Sequence, residues 1–441
     1  MKKLKPHDDY SLSRVPSEGK LATWKVMVVR LGCLSCLPVL MLGTTLGYSL
    51  TFWQGVCALF FGSVLLQIVG WVIGNIAARE GLATSLACRW AGFGNLGSSL
   101  IGVVIALSTI GWFGIQNSIF ATGLFQTTGL LTFEIWSVIT GLVLTILVMY
   151  GFKFLSLTAN IALPLFVIGT LYALVEILAK NNLADLVNSS IPGPAISMGT
   201  AITMVMGGFI TGAVLTPDLT RFVRTGKDVF WICLVSTFVG ELGFGMIGIL
   251  MSHAAKSADL NVIMLSFSGV FGTLLVIFST IKSNNLNLYS ASLGILNFFD
   301  AALKIRLNRG TVTLLAGIIG TVLSMVGVLS FFTNFLILLG EAITPIAGIM
   351  AVDYYVLKRS RKVLDISRAK GALPDKVETW NPIAIIAWAL GFIAGIFSTD
   401  FGIPAINSLV VGALTYLVIM KLSVTFFGKK RLEVKYITKK S

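Results

Sequence analysis

The stretch RLGCLSCLPVLMLGTTLG, Arg30 to Gly47, is apolar enough to cross a membrane, yet it carries Gly32, Pro38 and Gly43 inside a single crossing. A second stretch, MVMGGFITGAVLTPDLTRF from Met204 to Phe222, places Gly207, Gly208 and Gly212 in a similar way. Helix breaks at membrane depth are tolerated only where protein or a cavity covers the freed backbone groups. These stretches fall in the first and sixth apolar spans, so each opens a unit of five. Matched interruptions in two halves point to a transporter built from inverted repeats. Close packing of small residues also enriches glycine in membrane helices and explains either stretch taken alone; their pairing favours breaks.

Composition sets the class around these stretches. Of 441 residues, 56% are hydrophobic and 12% charged, which defines an all-α integral membrane protein. About 20 apolar residues cross a hydrocarbon core, and the sequence predicts twelve spans, near 26–48, 52–77, 98–124, 130–153, 156–179, 198–222, 229–252, 266–298, 311–332, 334–356, 382–398 and 404–427. Residues 1–25 read as a cytoplasmic tail and 26–357 as a transport core of ten helices. Residues 358–381 form a basic loop, 382–427 two accessory helices and 428–441 a basic tail.

The net charge of +14 does not mark a nucleic-acid surface, because the basic residues recur in alternate loops. Lys2, Lys3, Lys5, Arg14, Lys20, Lys25 and Arg30 precede or enter the first span, seven lie from Lys358 to Lys376, and seven from Lys421 to Lys440. Arg79, Arg89, Lys153, Arg221, Arg224, Lys227, Lys304, Arg306 and Arg309 fill the short even-numbered loops, against only Lys180 and Lys256 in the odd ones. By the positive-inside rule both termini are expected in the cytoplasm, with the chain in the cell's inner membrane. The charged first 25 residues lack an apolar core followed by a cleavage site, so no signal peptide is expected.

Enzyme chemistry has little material. There are two histidines, His7 in the tail and His253 near an outer loop, and no nucleophile elbow or phosphate-binding loop. No metal or other cofactor is expected. Cys33, Cys36, Cys57, Cys88 and Cys233 fall in or beside apolar spans, and Cys33-x-x-Cys36, without other ligands nearby, reads as structural. No repeated pore-lining motif suggests a channel.

Five segments, GLATSLACRWAGFG (Gly81–Gly94), IGWFG (Ile110–Gly114), GGFITGAVLTPDLTRF (Gly207–Phe222), SNNLNLYSASLGILN (Ser283–Asn297) and AITPIAGIMAVDYYVLKR (Ala342–Arg359), give the chain a specific likeness. In order and spacing they resemble the cytosine and purine permease branch of the nucleobase cation symporters, over residues 20–425. The resemblance implies the leucine-transporter type of fold, a 5+5 inverted repeat with broken helices one and six. It implies import of a nucleobase-like small molecule by alternating access. The chain reads as a monomer in the lipid bilayer, with a proton as possible co-substrate.

A flat, neutral, amide-edged ring suits aromatic faces and directed hydrogen bonds. Trp112 and Phe209 match the family's ring-sandwich pair. Gln116, four residues after Trp112, shares its helix face and offers both donor and acceptor. Glutamine at this place resembles the hydantoin branch, which leaves the heterocycle open. Gly208 permits close backbone approach, and Asn284 offers a second amide.

One residue breaks the family pattern. Where the resemblance implies two hydroxyl residues holding a sodium ion with carbonyls of the first helix, the chain reads Lys282-Ser283, with Ser279 one turn earlier. A lysine at the centre of a membrane helix costs about 2.5 to 3.5 kcal/mol on insertion scales, so it must face a cavity or partner. The expectation is that its ammonium replaces sodium on the carbonyls from Leu31 through Leu34 to Ser35. The alternatives are a fixed ion pair with Glu241 or Glu341, or a lysine turned away. Asp218, Arg221, Arg224 and Asp353, at span ends, suit a gate or orientation charges. An amino-acid transporter of the same fold and a sodium-coupled nucleobase, hydantoin or allantoin symporter are the competing functions.

Overall fold

The computed structural model describes residues 10, 13–149, 152–305, 307–398, 400–427 and 436–438. Lys2, Lys3, Lys5, His7, Arg306 and the basic residues after Lys421 lie outside the described residues, as does the side chain of Lys153.

Continuous apolar helices occupy most of the chain. Phe52–Glu80, Gly94–Thr128, Met198–Thr220, Gly226–Ala255, Val328–Leu357 and Pro404–Ser423 are each long and apolar enough to cross a membrane. Thr23–Leu34 and Leu37–Ser49 do so together, with a 49° bend between them. Phe133–Met149, Arg309–Met325 and Pro382–Ile396 are shorter, and Phe152–Lys180 and Leu260–Phe298 complete the series. Below, spans are numbered in chain order, from the bent pair as the first to Pro404–Phe427 as the last. Large apolar side chains such as Phe60, Trp231, Val326 and Phe397 point outward. Serine, threonine, asparagine and glutamine are buried inside, as expected where the solvent is lipid.

Glycine sets the helix spacing. A Cβ on Gly47 would lie 2.8 Å from Ile249 O, and one on Gly248 would lie 2.9 Å from Gly43 Cα, so the first and seventh spans touch backbone to backbone. Gly207 does the same against the tenth span, where its Cβ would run into the Leu336 carbonyl.

The expected all-α class omitted one element. Lys376–Glu378 in the basic loop pairs antiparallel with Tyr436–Thr438 in the tail, a two-stranded ribbon beside the bundle. Three-residue strands carry too little alternation to be legible in sequence.

Several basic residues counted as orientation charges are built into the structure. The Arg14 guanidinium, buried at the end of the second span, donates to Glu80 Oε2 (3.1 Å) and to Ser367 Oγ (2.8 Å). Arg368 (2.8 Å) and the Tyr354 hydroxyl (2.6 Å) donate to Glu80 Oε1. Lys20 sits in a cage of main-chain carbonyls from Arg221 (2.7 Å), Val223 (2.9 Å) and Ala78 (3.3 Å). Burial draws its pKa down to about 8. Arg359 pairs with Asp353 (3.3 Å) and Glu378 (3.0 Å). The segment before the first span is therefore strapped across the ends of the second and sixth. Arg14→Ala is expected to cost about 3 kcal/mol, the low end for breaking a buried pair because Arg368 and Tyr354 remain on Glu80. A thermal-unfolding midpoint in detergent unchanged from the parent would show that the strap contributes nothing.

Candidate functional site

The first span breaks where its sequence lacks the means to continue. Thr23–Leu34 ends as the Ser35 N–H closes on Leu31 O at 2.8 Å. Cys36 is extended (φ −148°, ψ 163°), and Leu37–Ser49 restarts with Pro38 in its first turn, where a missing N–H costs nothing. The break leaves last-turn carbonyls on one side and first-turn N–H groups on the other.

Both ends are met by the eighth span, Leu260–Phe298. Lys282 Nζ donates to Gly32 O at 2.6 Å, and Ser279 Oγ accepts from the Leu37 N–H at 3.2 Å. These residues are three apart, hence on one face. A cation thus sits at the negative end of one half-helix and an oxygen at the positive end of the other. Gly32, one residue beyond Leu31, supplies the carbonyl; Leu31 O is taken by Ser35, and Leu34 packs where Gly240 leaves room. Ser283 is half-buried in the same turn.

Neither candidate acid pairs with the lysine: among the described residues no carboxylate lies within 4.0 Å of Lys282 Nζ. Glu341 turns toward the last two spans, its Cγ filling the space at Gly395, while Glu241 follows Gly240, which packs on Leu34 of the first span. The freed carbonyl already meets the ammonium.

The second interruption differs from expectation. The sixth span is continuous through Gly207, Gly208 and Gly212, as Met198–Val214, and turns irregular only at Leu215 (φ −82°, ψ 0°). The physical reason is packing: Gly207 admits the tenth span, Gly208 lies against Leu42, and Gly212 makes room for the ring of Phe209 folded down the same helix.

Trp112 is buried in the third span with its ring edge-on to Phe335 (5.3 Å) and Phe332 (6.2 Å) of the tenth. Phe209 is half-buried, and the Arg30 guanidinium lies 5.3 Å from its ring centroid. Each aromatic is thus held by a different neighbour. The helices bearing them meet close by, where the hydroxyls of Ser108, one turn before Trp112, and Thr211, two residues after Phe209, bond at 2.9 Å. Gln116 is buried and no protein group hydrogen-bonds its Oε1. Asn284 differs: its Nδ2 donates to Phe113 O at 3.2 Å and its Oδ1 accepts from Asn287 at 3.4 Å, which ties the eighth span to the third. At the basic end, Asp218 accepts from the Thr84 N–H at 2.8 Å, Arg221 donates to Tyr10 O at 2.9 Å, and Arg224 is exposed.

Sequence reasoning placed Arg30 among the entry charges, but it is 1% exposed, two turns inside the helix that begins at Thr23, with Nη1 on Thr216 Oγ1 at 2.7 Å. Its setting in VMVVRLGCL was a legible sign of burial. The supports of Trp112, Phe332 and Phe335, carried no such sign.

The chain is a membrane permease and not an enzyme, as its family and relatives show. The chain belongs to the family of permeases for cytosine/purines, uracil, thiamine and allantoin, whose profile matches residues 14–419. It is 29% identical to the cytosine permease of Escherichia coli K12 over 415 residues, 93% of this chain and 94% of that one. It is 25% identical to the hydantoin permease of Microbacterium maritypicum, covering 78% and 75%. Its fold matches the inward-facing structure of Mhp1 with a TM-score of 0.77 at 18% identity, over 96% and 94% of the two chains. The closed Mhp1 structure with bromovinylhydantoin bound matches at 0.74 and 20%, over 98% and 99%.

Gln116→Leu should act in opposite directions on two readouts. Removing a buried acceptor that no protein group satisfies relieves about 1 to 3 kcal/mol, whereas a ligand N–H loses its partner by a similar amount. The variant should melt higher and bind substrate more weakly; unchanged affinity would remove Gln116 from the site.

Proposed function

We propose that this chain imports a nucleobase or a closely related heterocycle by alternating access, driven by protons or uncoupled, and not by sodium. The observation that carries the coupling is the 2.6 Å bond from Lys282 Nζ to Gly32 O at the break of the first span. An ammonium in that place supplies the positive charge that a bound sodium would bring and takes up a carbonyl that would hold one. Family membership and the cytosine and hydantoin permeases among its relatives support the substrate class. In this reading twelve spans form two inverted repeats of five plus two accessory helices, inserted in the inner membrane as a monomer with both termini cytoplasmic. No cofactor takes part.

Trp112 and Phe209 supply the ring faces, Gln116 an amide edge, and the backbone at Gly208 a close approach. Asn284 acts through Phe113, one residue from Trp112, and positions that wall. Lys282, Ser279 and Ser283 stand in place of the cation site, with Leu31, Gly32 and Leu34 as its backbone. Trp112→Ala and Phe209→Ala should each abolish saturable cytosine uptake while membrane insertion persists; loss of insertion would instead mark them as packing residues.

Adding sodium to a choline buffer should leave cytosine binding and uptake by the parent protein unchanged. Lys282→Thr, which restores a hydroxyl pair and empties the volume, should acquire sodium-stimulated binding, whereas Lys282→Met should not. Saturable sodium stimulation of the unmodified protein would sink the surrogate role of Lys282.

A further inference from the structure

Thirteen buried side-chain polar atoms among the described residues have no hydrogen-bonding protein group, and six of them fall on three neighbouring spans: Arg30 Nε and Nη2, Ser63 Oγ, Gln67 Oε1, Thr237 Oγ1 and Glu241 Oε2. They sit on the first, second and seventh spans, and the seventh packs against both of the others. Ser63 and Gln67 are successive turns of one face of the second span, and Gly70 follows. A Cβ on Gly70 would lie 3.1 Å from Arg30 Nη2, 3.3 Å from Cys233 Sγ and 3.4 Å from Thr216 Oγ1. From Cys233, Thr237 and Glu241 continue at intervals of four along the seventh span. Arg30 and the Ser63 hydroxyl both bear on Glu241. All five side chains are more than nine-tenths buried, with Arg30 and Glu241 each 1% exposed.

A fixed ion pair would not look like this. Arg30 and Glu241 make no contact within 4.0 Å, and each unmet buried donor or acceptor costs about 1 to 3 kcal/mol. Six such atoms on three helices make a buried polar cluster, and a cluster so costly calls for a functional explanation. The seventh span is wound as a π-helix over Ser236–Gly243, a distortion that recurs at functional sites.

We propose that Glu241 is the residue that binds the co-transported proton, with Arg30 as its fixed counter-charge and Ser63, Gln67 and Thr237 as the hydrogen-bonding wall. This rests on the reading of the chain as a proton-driven carrier. A hydronium ion transfers its proton to Glu241 Oε2 and leaves as water; release on the opposite side reverses the step. Among the described residues the titratable neighbours on the packed elements are thiols and one lysine. The helix Thr23–Leu34 presents Arg30 and Cys33, and Cys36 follows it; Gly226–Val235 presents Cys233, and Lys282 lies beyond the two first-span thiols. On Phe52–Glu80 the charges, Arg79 and Glu80, stand at the far end, as do Lys227 and Asp228 on Gly226–Val235; His253 of Phe244–Ala255 is bonded to Ser189 at 2.9 Å.

The link to substrate runs through Arg30, which holds Thr216 and covers the ring of Phe209. An ionised Glu241 draws the guanidinium toward the seventh span. A neutral one leaves it to the sixth span, so proton and heterocycle favour each other's binding, and the coupling is reciprocal.

The test uses the full-length protein in lipid nanodiscs with cytosine as probe. Infrared difference spectra should show a carboxylic-acid C=O band appearing when cytosine binds, shifted in Glu241→Asp and lost in Glu241→Gln. Cytosine affinity should rise about tenfold from alkaline to acidic buffer in the parent protein, the usual size of a coupling between two sites, and become flat in Glu241→Gln. A band or pH slope that survives Glu241→Gln overturns the assignment while leaving proton coupling intact. If Glu241→Gln does not insert, a Glu241→Asp spectrum identical to the parent's overturns it equally. A parent protein whose uptake ignores the proton gradient overturns the coupling reading itself, and Glu241 with it.

Discussion

A helix broken inside a membrane exposes backbone groups that lipid cannot satisfy, and the arrangement of this protein follows from how the first span meets that constraint. Its freed Gly32 carbonyl takes the Lys282 ammonium and its restarted half takes the Ser279 hydroxyl, both from one face of the eighth span. The same contacts resolve the second difficulty, a lysine at membrane depth, since cation and carbonyl answer each other's need. Two groups costly alone become compatible together. The eighth span is thereby bound to both halves of the first, and through Asn284 to the third span beside Trp112.

Around that junction the helices approach more closely than ordinary side chains allow. Gly43, Gly47 and Gly248 bring the first and seventh spans into backbone contact, and Gly207 and Gly340 do so for the sixth and tenth. Where no hydrophobic drive separates protein from solvent, such contact supplies much of the association energy. It leaves the first span little freedom to move apart from the seventh. Arg30, Glu241 and the break therefore belong to one mechanical unit, with Gly240 seated on Leu34.

The charges divide into two populations. Arg14, Lys20, Arg359 and Arg368 gather at one end, where acids and carbonyls hold the tail, the loops and the helix ends together. Arg30, Lys282, Glu241 and Glu341 lie within the bundle, where a charge is expensive and is kept for a function. Glu341, against Gly395, faces the last two spans, away from the break.

The apolar periodicity of the sequence determined the helical class, and the positions of nearly all the long helices, because a span is a local property of some 20 residues. The break at Leu34–Leu37 was legible for the same reason: a proline and flanking glycines act on their own backbone. The sixth-span glycines were not, since a glycine that interrupts a helix and one that admits a neighbour are the same residue in sequence, and only the position of Leu336 tells them apart. Family likeness raised the expectation that Lys282 meets the first span, but that its carbonyl is Gly32, with no acid partner among the described residues, was decided by the turn at which two distant helices cross. Arg30 shows the limit most clearly. Its burial was written in its apolar neighbours, whereas its position against Phe209, Thr216 and Gly70 depends on three helices packing at one depth, which no local pattern specifies.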